Sequence, residues 1–275
     1  SYKKNKELPD ANFYKACVPP LQPLPVFFNC GGRTTVIKTY FRLLELCPEN
    51  SSQYYLNPNK LFAIVDLDNQ DDTIENYSFP STDTIFFDLY QKFQVNPQNA
   101  PNHRIWTTDL IHKEAYFIIP ELQDFFNACI NIPHYKNDLL SLNTVYLDMA
   151  ESIVDDIDLE RNFQGVKERL KDIFNSELND KNELKNLWID KFNLTIEKEQ
   201  KYALILALLT IKKAKNFWEN IQPPEDVSIL AARFQEQLSL EIARQFYAKQ
   251  TNDPKYHIPY FLETVQKIAE NRGTF

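Results

Sequence analysis

Short apolar runs mark the first half of the chain, and the clearest is residues 61–65, five apolar residues in a row. Asp66 and Asp68 follow directly after it. An unbroken apolar run that ends in polar residues is typical of a strand buried on both faces, as in a parallel sheet. Residues 26–29 and 104–107 form similar short runs. We therefore predict three neighbouring, mainly parallel strands.

A helical pattern separates the first two of these runs. Residues 36–47 carry apolar side chains at helical spacing, with Thr34 or Thr35 as the predicted N-cap. Gly31 and Gly32 provide the turn before this helix. Strand, glycine turn, helix and strand form a βαβ unit, which is expected to be right-handed and parallel.

From about Asn137 onward the apolar positions change to helical spacing, and no strand-like alternation remains. The stretch 203–209 is apolar all round, which indicates the buried centre of a helical bundle. The predicted fold class is α/β, with an extended lead-in at 1–25, an α/β domain at 26–135 and an all-helical domain at 136–275. The predicted helices of the last part are 139–158, 163–178, 196–221, 227–250 and 258–272.

Composition and charge narrow the classes of function. The chain of 275 residues carries a net charge of −8, and this acidic balance disfavours duplex nucleic acid, whose phosphates require lysine and arginine. The four cysteines are scattered without a Cys-x-x-Cys pair, so a zinc ribbon is not expected. Scattered cysteines and a polar N-terminus indicate the cytoplasm. The longest apolar stretch is too short to span a bilayer, so no membrane partner is expected.

Asp66 and Asp68 are the leading candidates for chemistry. Working groups of parallel sheets lie at the carboxyl ends of the strands, where two close carboxylates need a cation or basic partner to offset their repulsion. Mg²⁺ suits this site because it takes oxygen ligands, with Asp109 or Glu114 as further ligands. His112 lies between Asp109 and Glu114 in the sequence. A plain strand end that runs into an acidic loop accounts for the same carboxylates.

The glycine turn is the second candidate site. Gly31 and Gly32 precede a helix whose N-terminus can hold an anion, and Arg33 can hold a phosphate there. The Gly-x-x-x-x-Gly-Lys pattern of a phosphate-binding loop is absent, and plain turn residues with a solvated arginine explain the same sequence. Cys30 at this turn suits either a nucleophile of lowered pKa or a buried structural cysteine.

Residues 63–68, Ala-Ile-Val-Asp-Leu-Asp, resemble the Asp-x-Asp motif of toprim domains, the α/β fold of primases, topoisomerases and overcoming-lysogenization-defect (OLD) nucleases. Residues 111–118, Ile-His-Lys-Glu-Ala-Tyr-Phe-Ile, look like a segment of bacterial toprim-related proteins with a helical C-terminal region. The resemblance covers about residues 24–125. It implies a toprim-like parallel sheet, with Asp66, Asp68 and Glu114 as catalytic residues and Asp66, Asp68 and Asp109 at a metal.

The first motif of the toprim family is degenerate in this chain. The family places a glutamate before the glycine of its first turn, where this sequence has Cys30 with Asn29 before it. Two functions therefore stay open. One is magnesium-dependent phosphodiester chemistry on nucleic acid, which the intact Asp-x-Asp favours. The other is a non-catalytic interaction protein that meets a protein partner through its helical domain, which the missing glutamate and the acidic charge favour.

Overall fold

The computed structural model describes residues 9–18, 25–46, 60–68, 105–174, 178–225, 227–253 and 255–270. These residues combine many helices with a small parallel and a small antiparallel sheet, which confirms a mixed α/β class. The chain divides into two compact units, and the predicted domain boundaries stay a prediction because compactness does not test independent folding. The first unit spans Ser1–Asp66, Asp72–Thr108 and Ser239–Phe275, and the second spans Leu67–Asp71 and Asp109–Leu238.

Helices and strands are numbered in chain order within the described residues. In these ranges no helix is both long and apolar enough to cross a membrane. The strands are β1 Ala63–Val65, β2 Ile105–Thr107, β3 His134–Tyr135, β4 Asp138–Leu139 and β5 Ile221–Gln222. The helices are α1 Pro9–Ala16, α2 Arg33–Glu45, α3 Leu122–Asn127, α4 Leu142–Glu151, α5 Ile157–Arg161, α6 Phe163–Leu170, α7 Lys181–Leu194, α8 Lys198–Ile211, α9 Lys215–Glu219, α10 Ala231–Gln245 and α11 His257–Glu270, with 3-10 turns at Lys113–Phe117, Ser152–Asp155 and Tyr247–Lys249.

The parallel sheet of the first unit consists, within the described residues, of β1 and β2. Their register pairs Ala63 with Ile105 and Val65 with Thr107. The Thr108 N–H donates to the Val65 carbonyl at 2.9 Å and extends this pairing beyond the strand end. The prediction that residues 61–65 and 104–107 contain neighbouring parallel strands is thus confirmed for these two segments, with Arg104 outside the described residues.

Helix α2 covers the sheet of the first unit, as the sequence predicts for the helix before β1. Ile37 and Tyr40 of α2 are buried in one apolar cluster with Ala63, Val65 and Ile105. The helix begins at Arg33, earlier than the predicted start at residue 36, and its N-cap residue is Gly32 rather than a threonine. No side chain caps this helix end, so the expected threonine cap is wrong.

The predicted first strand at 26–29 is wrong. This segment belongs to no helix or sheet, and the side chains of Val26 and Phe28 are each 77% exposed. Phe27 instead stacks on Tyr14, with ring centroids 5.9 Å apart. An apolar run indicates a strand only where a neighbouring strand can take up its N–H and C=O groups. The βαβ unit predicted from this segment is therefore not formed by the described residues.

Helix α8 forms the centre of the helical core in the second unit. Leu204 and Leu208 are 1% and 0% exposed, and Leu206 is half-buried. The indole Nε1 of Trp188 on α7 donates to the Leu204 carbonyl at 3.0 Å, which anchors the two helices to each other. The helix also packs against α4 and α6. The apolar stretch is thus a buried bundle centre at residues 204, 205 and 207–209, as predicted, whereas Ala203 is exposed and Leu206 is half-buried.

A three-stranded antiparallel sheet, ordered β4-β3-β5, interrupts the predicted helical domain. Lys136 and Asn137 form the turn between β3 and β4 with φ values of 53° and 69°. Positive φ at both central positions is the geometry of a tight hairpin turn. Each strand has two residues, too few for an alternating pattern to be visible in the sequence. The prediction of an all-helical region after 136 is therefore wrong at β4 and β5.

Candidate functional site

Asp66 and Asp68 follow β1, as predicted, but their environments differ. Asp66 ends a segment of the first unit and is exposed. Asp68 belongs to the second unit and is half-buried, while Leu67 between them is 3% exposed. Asp68 has φ +44°, a left-handed conformation that non-glycine residues rarely adopt. A backbone strained in this way persists only where surrounding contacts hold it.

Backbone contacts hold Asp68 in this conformation. Its N–H donates to the Ile111 carbonyl at 3.3 Å, and Arg169 donates from Nη2 to the Asp68 carbonyl. The Nη1 atom of Arg169 donates to the Thr210 carbonyl at 3.0 Å. One guanidinium therefore joins the Asp68 carbonyl to the last turn of α8.

Lys213 is a cation whose pKa is raised in part by the charge of Asp68. Its Nζ lies 2.7 Å from Oδ2 of Asp158. Desolvation lowers the pKa of Lys213, but the hydrogen bond to Asp158 and the charges of Asp68, Asp158 and Asp156 outweigh it, so the pKa is raised. The same hydrogen bond lowers the pKa of the Asp158 carboxyl. The carboxylate of Asp68 thus has a protein cation in its field.

His112 is held as a neutral ring by the loop after α8. Its Nε2 accepts the Ala214 N–H at 3.0 Å, so the ring proton lies on Nδ1, which is 3.2 Å from Oε2 of Glu114. Burial lowers the pKa of His112, while the charge of Glu114 opposes that shift. Because a backbone N–H occupies the Nε2 lone pair, this nitrogen is not available as a base or a metal ligand.

Glu114 is engaged with its neighbours in the same 3-10 turn. Its Oε1 lies 3.6 Å from Nζ of Lys113, and its Oε2 faces His112. The carboxylate predicted to be catalytic is thus flanked by a cation and an imidazole N–H. A further pair lies close by in the second unit, where the buried Lys212 contacts Asp156 at 2.6 Å and Asp156 also caps α5.

Asp109, predicted as a metal ligand, is an acid of raised pKa. Its Oδ1 atom is sealed from water, although the residue as a whole is half-buried. Desolvation raises the pKa of the Asp109 carboxyl to about 8, against the opposing effect of the backbone N–H groups of Asp109 and Leu110. Both N–H groups also donate to the hydroxyl of Tyr116, at 2.9 and 3.3 Å. A pKa of about 8 favours the protonated carboxyl at neutral pH, and a protonated carboxyl is a poor ligand for Mg²⁺.

The predicted magnesium ligands do not form a suitable set. In the described ranges, no group of three or more histidine, cysteine, aspartate or glutamate side chains is placed to hold a metal ion. Asp109 has a raised pKa that favours its protonated form, Glu114 is engaged with His112 and Lys113, and Asp68 lies in the field of Lys213. The donor set therefore fits Mg²⁺ poorly.

The glycine turn lies in the first unit, apart in the chain from the charged residues of the second unit. Gly31 has φ +90°, and its N–H donates to Oδ1 of Asn29 at 2.8 Å. A Cβ added at Gly31 or Gly32 would meet open space, so close packing does not require glycine at either position. Arg33 begins α2 directly after them, and Cys30 is half-buried. An anion site at this turn stays a prediction.

The structure adds two cations that the sequence did not signal. Arg169 donates to the Asp68 carbonyl, and the charges of Lys213 and Asp68 both act on His112. Both cations lie about a hundred residues or more beyond Asp68, so no local pattern signals them. In comparisons with models of protein families, with curated proteins and with solved structures, the chain has no significant match.

Proposed function

We propose that the chain is a non-catalytic interaction protein on a toprim-like scaffold, whose Asp-x-Asp segment serves as a structural charge centre. The observation that carries the proposal is the position of the half-buried carboxylates of Asp68, Glu114 and Asp156 beside cations or an imidazole of the protein itself. Lys213 responds to the charge of Asp68, Glu114 faces His112 and Lys113, and the buried Lys212 contacts Asp156. A cation supplied by the protein offsets the repulsion between carboxylates. The sequence analysis predicted that a metal ion has this role.

The test combines metal titration with a double-mutant cycle. Calorimetry follows addition of Mg²⁺ and Mn²⁺ at millimolar concentration to the wild-type chain, Asp68→Asn and Lys213→Met, and urea titration compares these three chains with the double variant. We expect no heat that depends on added metal. In the free energy of unfolding we expect a coupling between the two substitutions of about 0.2–1 kcal/mol, as for partly exposed ion pairs. A binding heat that is lost in Asp68→Asn and grows in Lys213→Met would instead identify Lys213 as a competitor of a metal.

The alternative proposal, magnesium-dependent phosphodiester chemistry on nucleic acid, has one supporting observation. Asp66 is exposed directly after a parallel strand, the position where such sheets present working groups. Divalent-dependent cleavage of single- and double-stranded nucleic acid by the wild-type chain, abolished in a folded Asp66→Asn variant, would replace the interaction proposal with this one. Absence of cleavage at any divalent ion supports the interaction proposal.

A protein is the class of partner that we propose for the helical unit. Leu194, the last residue of α7, and Ile196, in the connection to α8, are 80% and 97% exposed. A photo-crosslinking residue at Leu194 tests this connection in the cell that makes the protein. We expect a protein adduct that is lost in Ile196→Asp and kept in the exposed control Glu199→Lys. Equal adducts in both variants would assign the contact to another surface.

A further inference from the structure

Asp68 belongs to a closed ring of hydrogen bonds within the second unit. Its N–H donates to the Ile111 carbonyl at 3.3 Å, and the Ile111 N–H donates to the Leu209 carbonyl at 3.0 Å. The next residue of α8 is Thr210, whose carbonyl accepts from Nη1 of Arg169 at 3.0 Å. The Nη2 atom of the same guanidinium donates to the Asp68 carbonyl and closes the ring. Four segments that are far apart in the chain are joined in this way.

The bonds of this ring differ in how easily water can replace them. Ile111 and Leu209 are 1% and 0% exposed, so the bond between them is shielded from solvent. Arg169 and Asp68 are only half-buried, and water competes for hydrogen bonds at such positions. The arginine side chain also regains rotamer freedom when it lets go. The ring is therefore expected to open first at the guanidinium.

The backbone of Asp68 has a reason to move when the ring opens. Its φ of +44° lies in the left-handed region, which aspartate enters more often than most residues. Negative φ is nevertheless lower in free energy for every residue that carries a Cβ. A strained conformation of this kind persists only while the surrounding contacts impose it. The ring thus stores strain at the one residue whose carbonyl the guanidinium holds.

We propose that the backbone of Asp68 is a two-state device, which Arg169 holds in the left-handed state and which relaxes to negative φ when the guanidinium leaves. The direction of a side chain follows its backbone. Relaxation would therefore move the Asp68 carboxylate relative to Lys213 and His112, and Arg169 is the positioning residue for that carboxylate. This consequence rests on the charge centre proposed above, whereas the existence of the two backbone states does not.

The nuclear Overhauser effect between the amide and α protons of residue 68 reports the sign of φ in the full chain. These two protons lie closest at positive φ, so their cross-peak is stronger there than at negative φ. We expect a strong cross-peak in the wild-type chain and a weak one in Arg169→Met. The control Lys171→Met removes a positive charge from an exposed side chain and should keep the strong cross-peak. A strong cross-peak in a folded Arg169→Met variant, or a weak one in the wild-type chain, would overturn the proposal.

Hydrogen exchange at the Ile111 amide tests the strain while Arg169 stays in place. Glycine adopts positive φ without penalty, whereas alanine lacks the short polar side chain that helps aspartate there. We expect exchange to be slower in Asp68→Gly than in Asp68→Ala by roughly three- to tenfold, with the wild-type chain between them. The Leu184 amide, bonded to the Asp180 carbonyl, is the control and should differ less. Equal exchange at Ile111 in the two variants would overturn the proposal, and this comparison decides if Arg169→Met does not fold.

Discussion

The Nε2 atom of His112 accepts a hydrogen bond of 3.0 Å from the backbone N–H of Ala214, 102 residues further along the chain. Ala214 is fully buried, so this N–H has no access to solvent in the folded protein. The bond fixes the tautomer of the ring and directs its Nδ1–H towards Glu114. His112 therefore acts as a connector between two loops of the second unit, and its role is structural.

Replacement of His112 measures this connection. His112→Ala leaves the buried Ala214 N–H without an acceptor, which should lower the free energy of unfolding by about 1–3 kcal/mol in urea at pH 7. His112→Gln carries a carbonyl oxygen that can reach the same N–H, so it should retain most of the stability. Equal losses in the two variants would indicate that the ring is required for packing rather than as an acceptor.

The raised pKa of Asp109 predicts a stability that depends on pH in an unusual direction. An unfolded aspartate releases its proton near pH 3.9, whereas the folded carboxyl holds it until about pH 8. The contribution of this group is therefore complete below about pH 3.9 and is lost as the pH rises towards 8, by up to about 1.4 kcal/mol per pH unit.

Asp109→Asn isolates this effect, because an amide resembles the protonated acid and does not titrate. The variant should gain on the wild-type chain in free energy of unfolding between pH 5 and pH 8, as measured by urea titration at each pH. A difference that does not change with pH would mean that Asp109 ionises normally in the folded protein. If Mg²⁺ at pH 8 stabilised the wild-type chain but not Asp109→Asn, Asp109 would be a metal ligand after all.

Local patterns in the sequence predicted the apolar elements that find other apolar elements to pack against. β1 and the core of α8 lie in continuous apolar runs and β2 in a short run with two apolar residues, and the burial of most of these residues follows from their composition. Residues 26–29 have a similar composition but no neighbouring strand among the described residues, so Val26 and Phe28 remain exposed. The hydrophobicity of a segment indicates that its burial is favourable. Whether the segment is buried depends on whether the rest of the chain provides a surface for it to pack against.

The candidate site was only partly predictable for the same reason. Asp68 and Glu114 stand out in the sequence as carboxylates beside apolar segments, whereas the groups that determine their chemistry come from distant elements. Arg169 is 101 residues from Asp68, and its contact is to a carbonyl oxygen, which every residue carries. The raised pKa of Asp109 likewise results from burial, which only the folded chain produces. Sequence patterns predict candidate groups, while charge state depends on tertiary contacts.

Truncation of Leu208 tests the helical core of the second unit. Leu208 is 0% exposed at the centre of α8, so Leu208→Ala should lower the free energy of unfolding by about 2–5 kcal/mol in a denaturant titration. Leu206, on the same helix and half-buried, is the matched control, and Leu206→Ala should cost less. A loss below about 0.5 kcal/mol at Leu208 would place that side chain outside the cooperative core.

His257 makes the first unit sensitive to acid. Desolvation lowers the pKa of this buried histidine to about 3, and its position at the first turn of α11 disfavours the imidazolium further, because helix N-termini carry positive charge. The unfolded chain binds this proton below about pH 6.5, but the folded protein does not until about pH 3. The free energy of unfolding should therefore fall as the pH is lowered across this interval, by up to about 1.4 kcal/mol per pH unit.

Carboxylates titrate in the same interval, so the informative quantity is the difference between the wild-type chain and His257→Gln, which cannot take up the proton. Substitution lowers stability at pH 7 if the ring packs better than the amide, but this loss should shrink steadily as the pH falls from 6.5 to 4. An NMR titration of the His257 ring protons gives the folded pKa directly and should show no transition above pH 4. A transition near pH 6 together with a constant difference between the two chains would mean that the ring is solvated in the folded protein.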